Sequence, residues 1–456
     1  MKKTFSEAQP EASQVAKAAE NLPEQLLEKA IAAGAEAAEV FQTSTLSRPV
    51  IFEGNRLKQI ETSQSEGMAL RLWRNGQPGL AVGYGPVDPQ ALVDKALSIS
   101  TLNAPETPNL KTGGPRSFPT VGETATVEQL VTWGQGAIAQ LRDQFPEIVC
   151  EAELSCETEH TRLLNSTGLD YCSQDNSLSS YLNAELIDQD DFLYVGGGTV
   201  HRHPEEMSSG MDAVTSRIAE RLVWANRTAP PPSGSVPVIF TPAAAWLLWA
   251  TLRAALNGKR VREGTSPWSQ KWNEQVTHPA LSLRQDPTVG PYSCWFDDEG
   301  MLTQPLLLIE DGRVKNWYCD RSRPIDASPI PGLSSSTGNG IRPDLGSYPT
   351  PGLINLLVSP GELSWQSLIA QQSDAIIVEQ VMGEGGDITG DLSINLELGY
   401  RVRDGEIVGR VKDTMISGNA YTALNHLIAL GSEPEWSGST CTPTVVVESL
   451  SVTGSR

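Results

Sequence analysis

Three consecutive prolines, Pro230–Pro232, lie in the middle of the chain and constrain how it can fold. They belong to the run NRTAPPPSGSVP at residues 226–237, in which glycine and serine follow the prolines. Proline fixes φ and has no backbone N–H, so neither a helix nor a central strand can continue through this run. With 456 residues the chain is also long enough for more than one domain. We therefore predict an N-terminal domain at residues 1–225, a linker at 226–237 and a C-terminal domain at 238–456.

The N-terminal half alternates between helix and strand signals. Thr126 followed by Gln129 is a capping-box pattern, which predicts a helix running to about Leu141. Asn75–Gly76 lies between two apolar runs and predicts a hairpin over residues 68–84. This mixture favours an α+β fold, with an N-terminal α/β domain whose helices pack on a largely antiparallel sheet.

The C-terminal half is rich in strand signals. The run TVVVESLSV at residues 444–452 predicts a final strand. Two helices interrupt the strands, one near 420–430 and one at 242–256, for which Thr241 is the predicted N-cap and Gly258 the predicted left-handed stop. A β-rich sandwich or pseudo-barrel is the architecture that this pattern favours.

The charge balance limits the partners that the chain can bind. The formal net charge is −21. Nucleic acids and anionic membranes attract clustered Lys and Arg, so this acidic balance argues against both. No apolar run reaches the roughly 18 residues of a membrane span, and the first residues do not resemble a signal peptide. The six cysteines form no CxxC pair, which is typical of reduced thiols, and we expect a cytoplasmic protein.

Few residues form a recognisable site for chemistry. His201 and His203 make the only HxH pair and would share one face of a strand, a spacing that suits a metal, although a solvated edge or loop is the alternative. Asp297–Glu299 cannot all reach one ion from an extended strand, so we predict a solvated acidic segment. Residues 385–392 have the glycine spacing of a phosphate loop, but Asp391 replaces the lysine and would repel phosphate. We predict a tight turn at the edge of a cavity there.

Several short blocks, taken in order, resemble the TldD/PmbA family of metalloproteases. In the catalytic members one helix carries HExxxH within the frame L-L-H-E-x-x-x-H…G…G-T-S. The residues that match this frame are Leu247–Leu248, Gly258 and Gly264–Ser266. The frame places the first His on Trp249, the Glu on Ala250 and the second His on Ala254. Further blocks that follow the family's order are Asn165–Gly168, Phe296–Gly300, Ser336–Gly340, Thr389–Ser393 and Ser417–Asn419.

The resemblance implies an activity and a partner. Catalytic members are cytoplasmic, bind zinc through the two motif histidines and a cysteine near the C-terminus, and cleave unstructured peptides. Zinc lowers the pKa of its bound water to about 7, and the motif Glu accepts the proton. Each catalytic chain pairs with a TldE/PmbA-type chain, and the heterodimer encloses a cavity. Because Trp249, Ala250 and Ala254 offer no metal ligand, this chain resembles the TldE/PmbA type.

For this chain, the resemblance implies no catalytic residue and no metal ligand of its own, with zinc carried by a TldD-like partner. Cys441 lies almost at the start of the last strand, too late for the family's ligand cysteine. The candidate residues for lining the cavity and contacting a peptide are Trp249, Arg253, Asn339, Thr389, Gly390 and Asp391.

We therefore predict a zinc-free subunit of a heterodimeric metalloprotease that degrades or processes unstructured peptides, with activity only beside a catalytic partner. Two alternatives stay open. One is a stand-alone binding or scaffold homodimer, since a fold does not determine function. The other is an active hydrolase that holds a relocated metal with His201, His203 and a carboxylate.

Overall fold

Each half of the chain builds its own sheet system, and helices pack against both. The computed structural model describes residues 21–188, 191–321, 330–334, 336–383 and 385–454. Mixed helices and sheets run through both halves, which confirms the predicted α+β fold.

The N-terminal half forms one sheet of eight strands. These strands are β1 (Ala37–Glu53), β2 (Arg56–Ile60), β3 (Ser63–Arg74), β4 (Gln77–Tyr84), β5 (Pro115–Ser117), β6 (Val149–Asn165), β7 (Asp170–Asp188) and β8 (Asp191–His201). The spatial order is β4-β3-β1-β6-β7, with β2 beside β1 and with β5 and β8 beside β7. Only β5 runs parallel to its neighbour, so the sheet is largely antiparallel, as predicted. Asn75 and Gly76 have φ angles of 53° and 71° and form the predicted turn between β3 and β4.

Four helices cover one face of this sheet. They are α1 (Leu22–Ala32), α2 (Pro89–Ser100), α3 (Val127–Gln144) and α4 (Pro204–Ala225). Ala38 and Val40 of β1 are buried with α1 and α2, whereas Val50 and Phe52 of the same strand are buried with α3 and α4. The predicted capping box of α3 is present, because Thr126 Oγ1 accepts from the Gln129 N–H at 3.2 Å and Gln129 Oε1 accepts from the Thr126 N–H at 2.9 Å.

The C-terminal half is built mainly from short strands. They are β9 (Gly234–Phe240), β10 (Leu283–Gln285), β11 (Leu306–Glu310), β12 (Arg313–Val314), β13 (Gly340–Ile341), β14 (Thr350–Pro351), β15 (Leu356–Val358), β16 (Asp374–Met382), β17 (Asp391–Arg403), β18 (Glu406–Arg410), β19 (Thr414–Asn419), β20 (Leu427–Leu430), β21 (Glu435–Ser437), β22 (Thr440–Thr442) and β23 (Val445–Gly454). The helices among them are α5 (Trp246–Leu256), α6 (Gly258–Arg262), α7 (Trp365–Ala370) and α8 (Ala420–Asn425). The order β16-β9-β23-β19-β17 closes on itself because β17 also pairs with β16, which confirms the predicted pseudo-barrel.

The closed sheet is buried on both faces. Val238 and Phe240 of β9 pack in a cluster with α5, whereas Ile239 packs in a cluster with α3 and α4 of the N-terminal half. Burial on both faces explains why β9, β16 and β23 each contain a run of three or four consecutive apolar residues. One of the hydrophobic clusters therefore spans both halves.

The proline-rich run ends earlier in the structure than the sequence suggests. Strand β9 begins at Gly234, inside the predicted linker, and contains Pro237. The pairing of β9 with β23 is irregular at this point, between Val447 and Leu450. An irregular ladder tolerates a residue without an N–H donor, so the proline does not break the strand.

The predicted end of the helix at residue 256 is confirmed, whereas its predicted start at 242 and both predicted cap residues are wrong. The Thr241 hydroxyl donates to the Val378 carbonyl oxygen at 3.2 Å and caps nothing, and α5 begins only at Trp246. Gly258 lies inside the next helix, α6, whose N-cap is Asn257. Only glycine fits at this position, because a Cβ there would clash with Cys319 Sγ and lie 2.8 Å from the Tyr318 carbonyl oxygen.

Gly258→Ala is expected to lower the free energy of unfolding by about 1 to 3 kcal/mol, because the added methyl group has no room. Chemical denaturation followed by tryptophan fluorescence measures this change. Gly136→Ala is the matched control, since Gly136 lies in α3 with open space around its Cβ position. The control should raise stability by about 0.5 to 1 kcal/mol through helix propensity. Effects of the same sign in the two variants would contradict the steric explanation.

Candidate functional site

Helix α5 is the element to which the resemblance assigns the metal. Leu247, Leu248 and Leu252 are fully buried on it. Trp249 is only 1% exposed, and its indole Nε1 donates to Thr442 Oγ1 at 3.0 Å. The expectation that Trp249 lines a cavity is therefore wrong: the large apolar ring is stabilised by burial, and its one polar atom has a partner in the core.

The remaining family positions on α5 also lack metal-binding atoms. Ala250, Arg253 and Ala254 are half-buried, on the side of the helix that the core does not cover. Two methyl groups and a buried indole do not fit zinc, which takes nitrogen, sulfur or carboxylate ligands. Arg253 contributes its backbone to the local structure, since its carbonyl oxygen accepts from the Tyr318 hydroxyl at 2.7 Å.

Cys441 is no better suited to bind a metal. It lies in β22 opposite Trp436 of β21, and burial raises the pKa of its thiol. A metal ligand must be the thiolate, so a raised pKa opposes binding. Within the described ranges, no group of three or more His, Cys, Asp or Glu side chains is arranged to hold a metal ion.

The two histidines of the HxH pair are separated by a change of secondary structure. His201 ends β8, and its Nε2 lies 2.7 Å from Thr199 Oγ1. His203 is the N-cap residue of α4, and its Nδ1 lies 3.6 Å from Glu123 Oε1. Of the two alternatives, a shared strand face and a solvated edge or loop, the shared face is wrong, because the strand ends between the two residues.

A glycine-rich turn lies against α5. A Cβ on Gly385 would clash with the ring of Trp246, and a Cβ on Gly386 would lie 2.7 Å from Thr251 Oγ1. Both glycines therefore allow the backbone to approach the helix closely. Three of the candidate residues, Thr389, Gly390 and Asp391, follow directly in this turn.

Hydrogen bonds hold these three residues in one arrangement. The Asp387 carboxylate accepts from the Thr389 N–H at 2.7 Å and from its hydroxyl at 2.6 Å, and these bonds lower the pKa of Asp387. Asn419 Nδ2 donates to Asp391 Oδ1 at 3.0 Å and to the Thr389 carbonyl oxygen at 2.9 Å. The side chains of Thr389 and Asp391 are exposed. A tight turn is thus present, as the glycine spacing indicated.

Asn339 lies apart from the other candidates. Its side chain is fully buried and donates to Gln285 Oε1 and, at 2.7 Å, to the Gly352 carbonyl oxygen. The expectation that Asn339 contacts a peptide is wrong, because its amide is used to connect core loops.

A cleft between the two halves is the feature that sequence reasoning missed. It runs along β8 and contains a cavity of about 710 Å³ on the α4 side and one of about 430 Å³ on the other side. Gly198, Arg217 and Trp436 border both cavities, and Trp246 of α5 borders the smaller one. The run Gly196–Gly198 was the available signal, since glycine inside a strand often marks close backbone approach.

The acidic segment Asp297–Glu299 is buried, and the prediction of a solvated segment is wrong. The Asp297 carboxylate accepts from the N–H groups of Glu299 at 3.0 Å, Met301 at 2.8 Å and Gly340 at 2.8 Å. Backbone donors thus replace water around a charge that the sequence places in a loop. Burial raises the pKa of Asp297 to about 7, that of Asp298 to about 6 and that of Glu299 to about 8.

A buried ion pair next to this segment joins the two halves. Glu39 of β1 lies 3.0 Å from the Arg71 guanidinium and 3.3 Å from that of Arg342. The N–H of Arg342 also donates to Asp298 at 2.7 Å. The acidic segment is therefore part of the contact between the halves.

Solved structures share this α+β fold. TldE from Thermococcus kodakarensis superposes with a TM-score of 0.82 at 21% identity, over 95% of this chain and 100% of that one. A Thermotoga maritima protein described as a putative modulator of a DNA gyrase superposes with a TM-score of 0.80 at 23% identity and similar coverage. Identities this low establish the fold alone.

Sequence comparison establishes the family. Residues 233–454 match the PmbA/TldA metallopeptidase C-terminal domain, and residues 38–100 match domain 1 of the same family. A metalloprotease of Methanothermobacter thermautotrophicus is 24% identical over 87% of this chain and 88% of its own length. Metalloprotease PmbA of Escherichia coli O157:H7 is 25% identical over 64% of this chain and 61% of its own length. The chain belongs to the PmbA/TldD metallopeptidase family.

Of the helices in the described parts of the chain, none is long and apolar enough to cross a membrane.

Proposed function

We propose that this chain is the zinc-free subunit of a cytoplasmic heterodimeric metallopeptidase that acts on unstructured peptides. The observation that carries the proposal is the composition of α5. The resemblance assigns its metal ligands and its general base to Trp249, Ala250 and Ala254, and none of these side chains can bind zinc or accept a proton. Catalysis would then belong to a TldD-like partner that has the complete motif and carries the zinc.

The packing around α5 supports the same proposal. A histidine at position 249 would have to face solvent and metal, whereas Trp249 points into the core and is held there by Thr442. The site is therefore filled by core packing, and restoring a metal would require a different arrangement of the helix. The Thr389–Asp391 turn and the cleft along β8 leave this chain with surfaces that can still contact a peptide.

Copurification tests the proposal. A tagged chain isolated from its native cells is expected to bring down an HExxxH-bearing relative in roughly equal amount, with mass spectrometry and native mass as the readouts. Metal analysis should find zinc in the complex and none in the chain purified alone. The complex should cleave an unfolded peptide, and the variant of the partner with Gln in place of the motif Glu should assemble but not cleave.

Two results would remove the proposal. Near-stoichiometric zinc in the chain purified alone would contradict the inference that α5 has no metal-binding side chains. A homodimer that persists when the HExxxH relative is added would instead favour the scaffold alternative.

A further inference from the structure

A separate cavity between the two halves lies near the end of β3. Its volume is about 390 Å³, which falls within the size range of small-molecule sites. None of the described residues that line it borders the cleft along β8. The lining residues include Arg71, Trp73 and Glu106 from the N-terminal half and Glu299, Arg321 and Tyr348 from the C-terminal half. We call this space the arginine cavity, because two guanidinium groups border it.

Arg71 has more hydrogen-bond donors than acceptors around it. Its side chain is only 11% exposed, and among the described residues its guanidinium hydrogen-bonds only to Glu39 Oε1, at 3.0 Å. Its Nε is enclosed and has no hydrogen-bond partner in the described part of the chain. Glu39 also lies 3.3 Å from the Arg342 guanidinium, so one carboxylate serves two cations. Buried donors without acceptors are rare, and an acceptor in the cavity would supply what Arg71 lacks.

Arg321 is held in one orientation and has no counter-ion. Its Nη2 donates to Asn109 Oδ1 at 2.8 Å, and its Nε donates to the Asn109 carbonyl oxygen at 3.3 Å. Its Nη1 lies 3.0 Å from Met301 Sδ, and a thioether is a weak acceptor. No ion pair of the described residues includes this guanidinium. Because Asn109 already fixes the side chain, binding an anion here costs little further side-chain entropy.

The two carboxyl groups at the cavity do not neutralise both guanidiniums. Burial raises the pKa of Glu299 to about 8, so this carboxyl is mostly protonated near pH 7. Glu106 is exposed, and its Oε1 accepts from the Trp73 indole N–H at 2.9 Å. The lining therefore has two cations and one ionised carboxylate, although the whole chain has a net charge of −21.

Flat apolar groups complete the walls. The Arg71 guanidinium lies over the Trp73 ring, with its Cζ 4.8 Å from the ring centroid. Tyr348 is exposed beside it, and the buried prolines Pro78 and Pro349 border the same space. Rings and prolines present carbon surface that needs no hydrogen-bond partner, so they favour a flat apolar group in the ligand.

We propose that the arginine cavity binds a small organic carboxylate with a flat apolar body. The carboxylate accepts from the guanidiniums of Arg71 and Arg321, whose planar forks match its two oxygens. The apolar body packs against Tyr348 and the prolines. A phosphate dianion fits less well, because the Glu106 carboxylate repels its second charge.

A matched pair of ligands tests the charge that the cavity recognises. Phenylacetate and its neutral amide, phenylacetamide, have the same apolar body, and isothermal titration calorimetry measures the affinity of each for the full chain. Phenylacetate should bind about tenfold more tightly, because hydrogen bonds between two charged groups are the stronger ones. Equal affinities, or no binding of phenylacetate at millimolar concentration, would overturn the proposal. Tighter binding of inorganic phosphate than of phenylacetate would overturn it as well.

A charge variant locates the site. Arg321→Gln should weaken phenylacetate binding about tenfold and leave phenylacetamide binding unchanged, because Gln can still donate to Asn109 but has no charge. Arg313→Gln is the matched control, since Arg313 is an exposed residue of β12 that does not border the cavity. The control should change neither affinity. Equal effects of the two variants would overturn the assigned site.

A blocking variant keeps the test decisive if Arg321→Gln fails to fold. Ala104 is exposed and borders the cavity, and it takes no part in the hydrogen bonds of either guanidinium. In Ala104→Trp the indole fills part of the cavity, so phenylacetate and phenylacetamide should both bind at least tenfold more weakly. Unchanged affinities in this variant would overturn the assigned site.

These titrations use the chain purified alone, so their outcome is independent of the proposed function. Carboxylate binding in a chain that never associates with an HExxxH relative would support the arginine cavity and remove the heterodimer. A peptidase complex whose isolated subunit does not bind phenylacetate would keep the heterodimer and overturn the arginine cavity.

Discussion

Trp249→Ala is expected to lower the free energy of unfolding by about 3 to 5 kcal/mol, the cost of a large cavity in a packed core. The indole is 1% exposed and packs with α5, β9 and β23 in the largest apolar cluster of the C-terminal half. The substitution also leaves Thr442 Oγ1 without the donor that it now has at 3.0 Å. Urea denaturation followed by circular dichroism measures the loss.

Two further variants test the cause of this effect. Trp249→Phe keeps most of the ring but removes the N–H, and should cost about 1 to 2 kcal/mol. Trp246→Ala is the control on the same helix, because Trp246 is 37% exposed and borders the cleft. Its cost should be the smallest of the three. If Trp246→Ala destabilised the chain as much as Trp249→Ala, position 249 would not be the core position described here.

Stability is expected to fall as the pH rises from about 5 to about 8, in the direction opposite to the acid unfolding of most proteins. Burial raises the pKa of Asp297 to about 7 and that of Glu299 to about 8, whereas the same groups titrate near 4 in an unfolded chain. Between these values the folded state binds more protons than the unfolded state. Each unit of pH in that window therefore lowers the free energy of unfolding, and the decline ends above the folded-state pKa values.

Glu299→Gln isolates one of these groups. The amide oxygen can still accept from the Arg321 N–H, which lies 2.6 Å from the carboxylate in the parent, but the side chain no longer ionises. Near pH 5 the two proteins should differ little, and near pH 8.5 the variant should be more stable than the parent by about 2 to 4 kcal/mol. Thermal unfolding at a series of pH values is the measurement. Glu153→Gln, at an exposed position of β6, should follow the parent at every pH, and a parallel profile for Glu299→Gln would refute the assignment.

Local signals in the sequence predicted the elements well. The capping box at Thr126, the turn at Asn75–Gly76 and the final strand near residue 445 all depend on residues that are close in the chain, so one short segment contains the whole cause. The predicted start and cap residues of α5 failed for the opposite reason. Thr241 hydrogen-bonds to Val378 in another strand, and Gly258 is required by Cys319, so neither residue follows the rules of its own helix.

In the candidate site, too, the residue types could be predicted from the sequence, whereas the directions of the side chains could not. The loss of the metal ligands at Trp249, Ala250 and Ala254 is a matter of residue type and could be recognised without coordinates. Trp249 and Asn339 were expected to line a cavity, and both are buried. Family positions indicate which residues are near a site, but they do not indicate which way a replaced side chain points.

The sequence by itself determined many of the helices and hairpins, the α+β class, the order in which the family's short motifs occur, and the residue types that stand on α5. These properties depend on local backbone preferences and on which atoms a side chain contains. Only the tertiary structure decided that the barrel closes between β16 and β17, that Asp297 and Glu299 are buried, and that β8 borders two cavities. Each of these depends on desolvation and packing between segments far apart in the chain, and no pattern within a single segment contains that information.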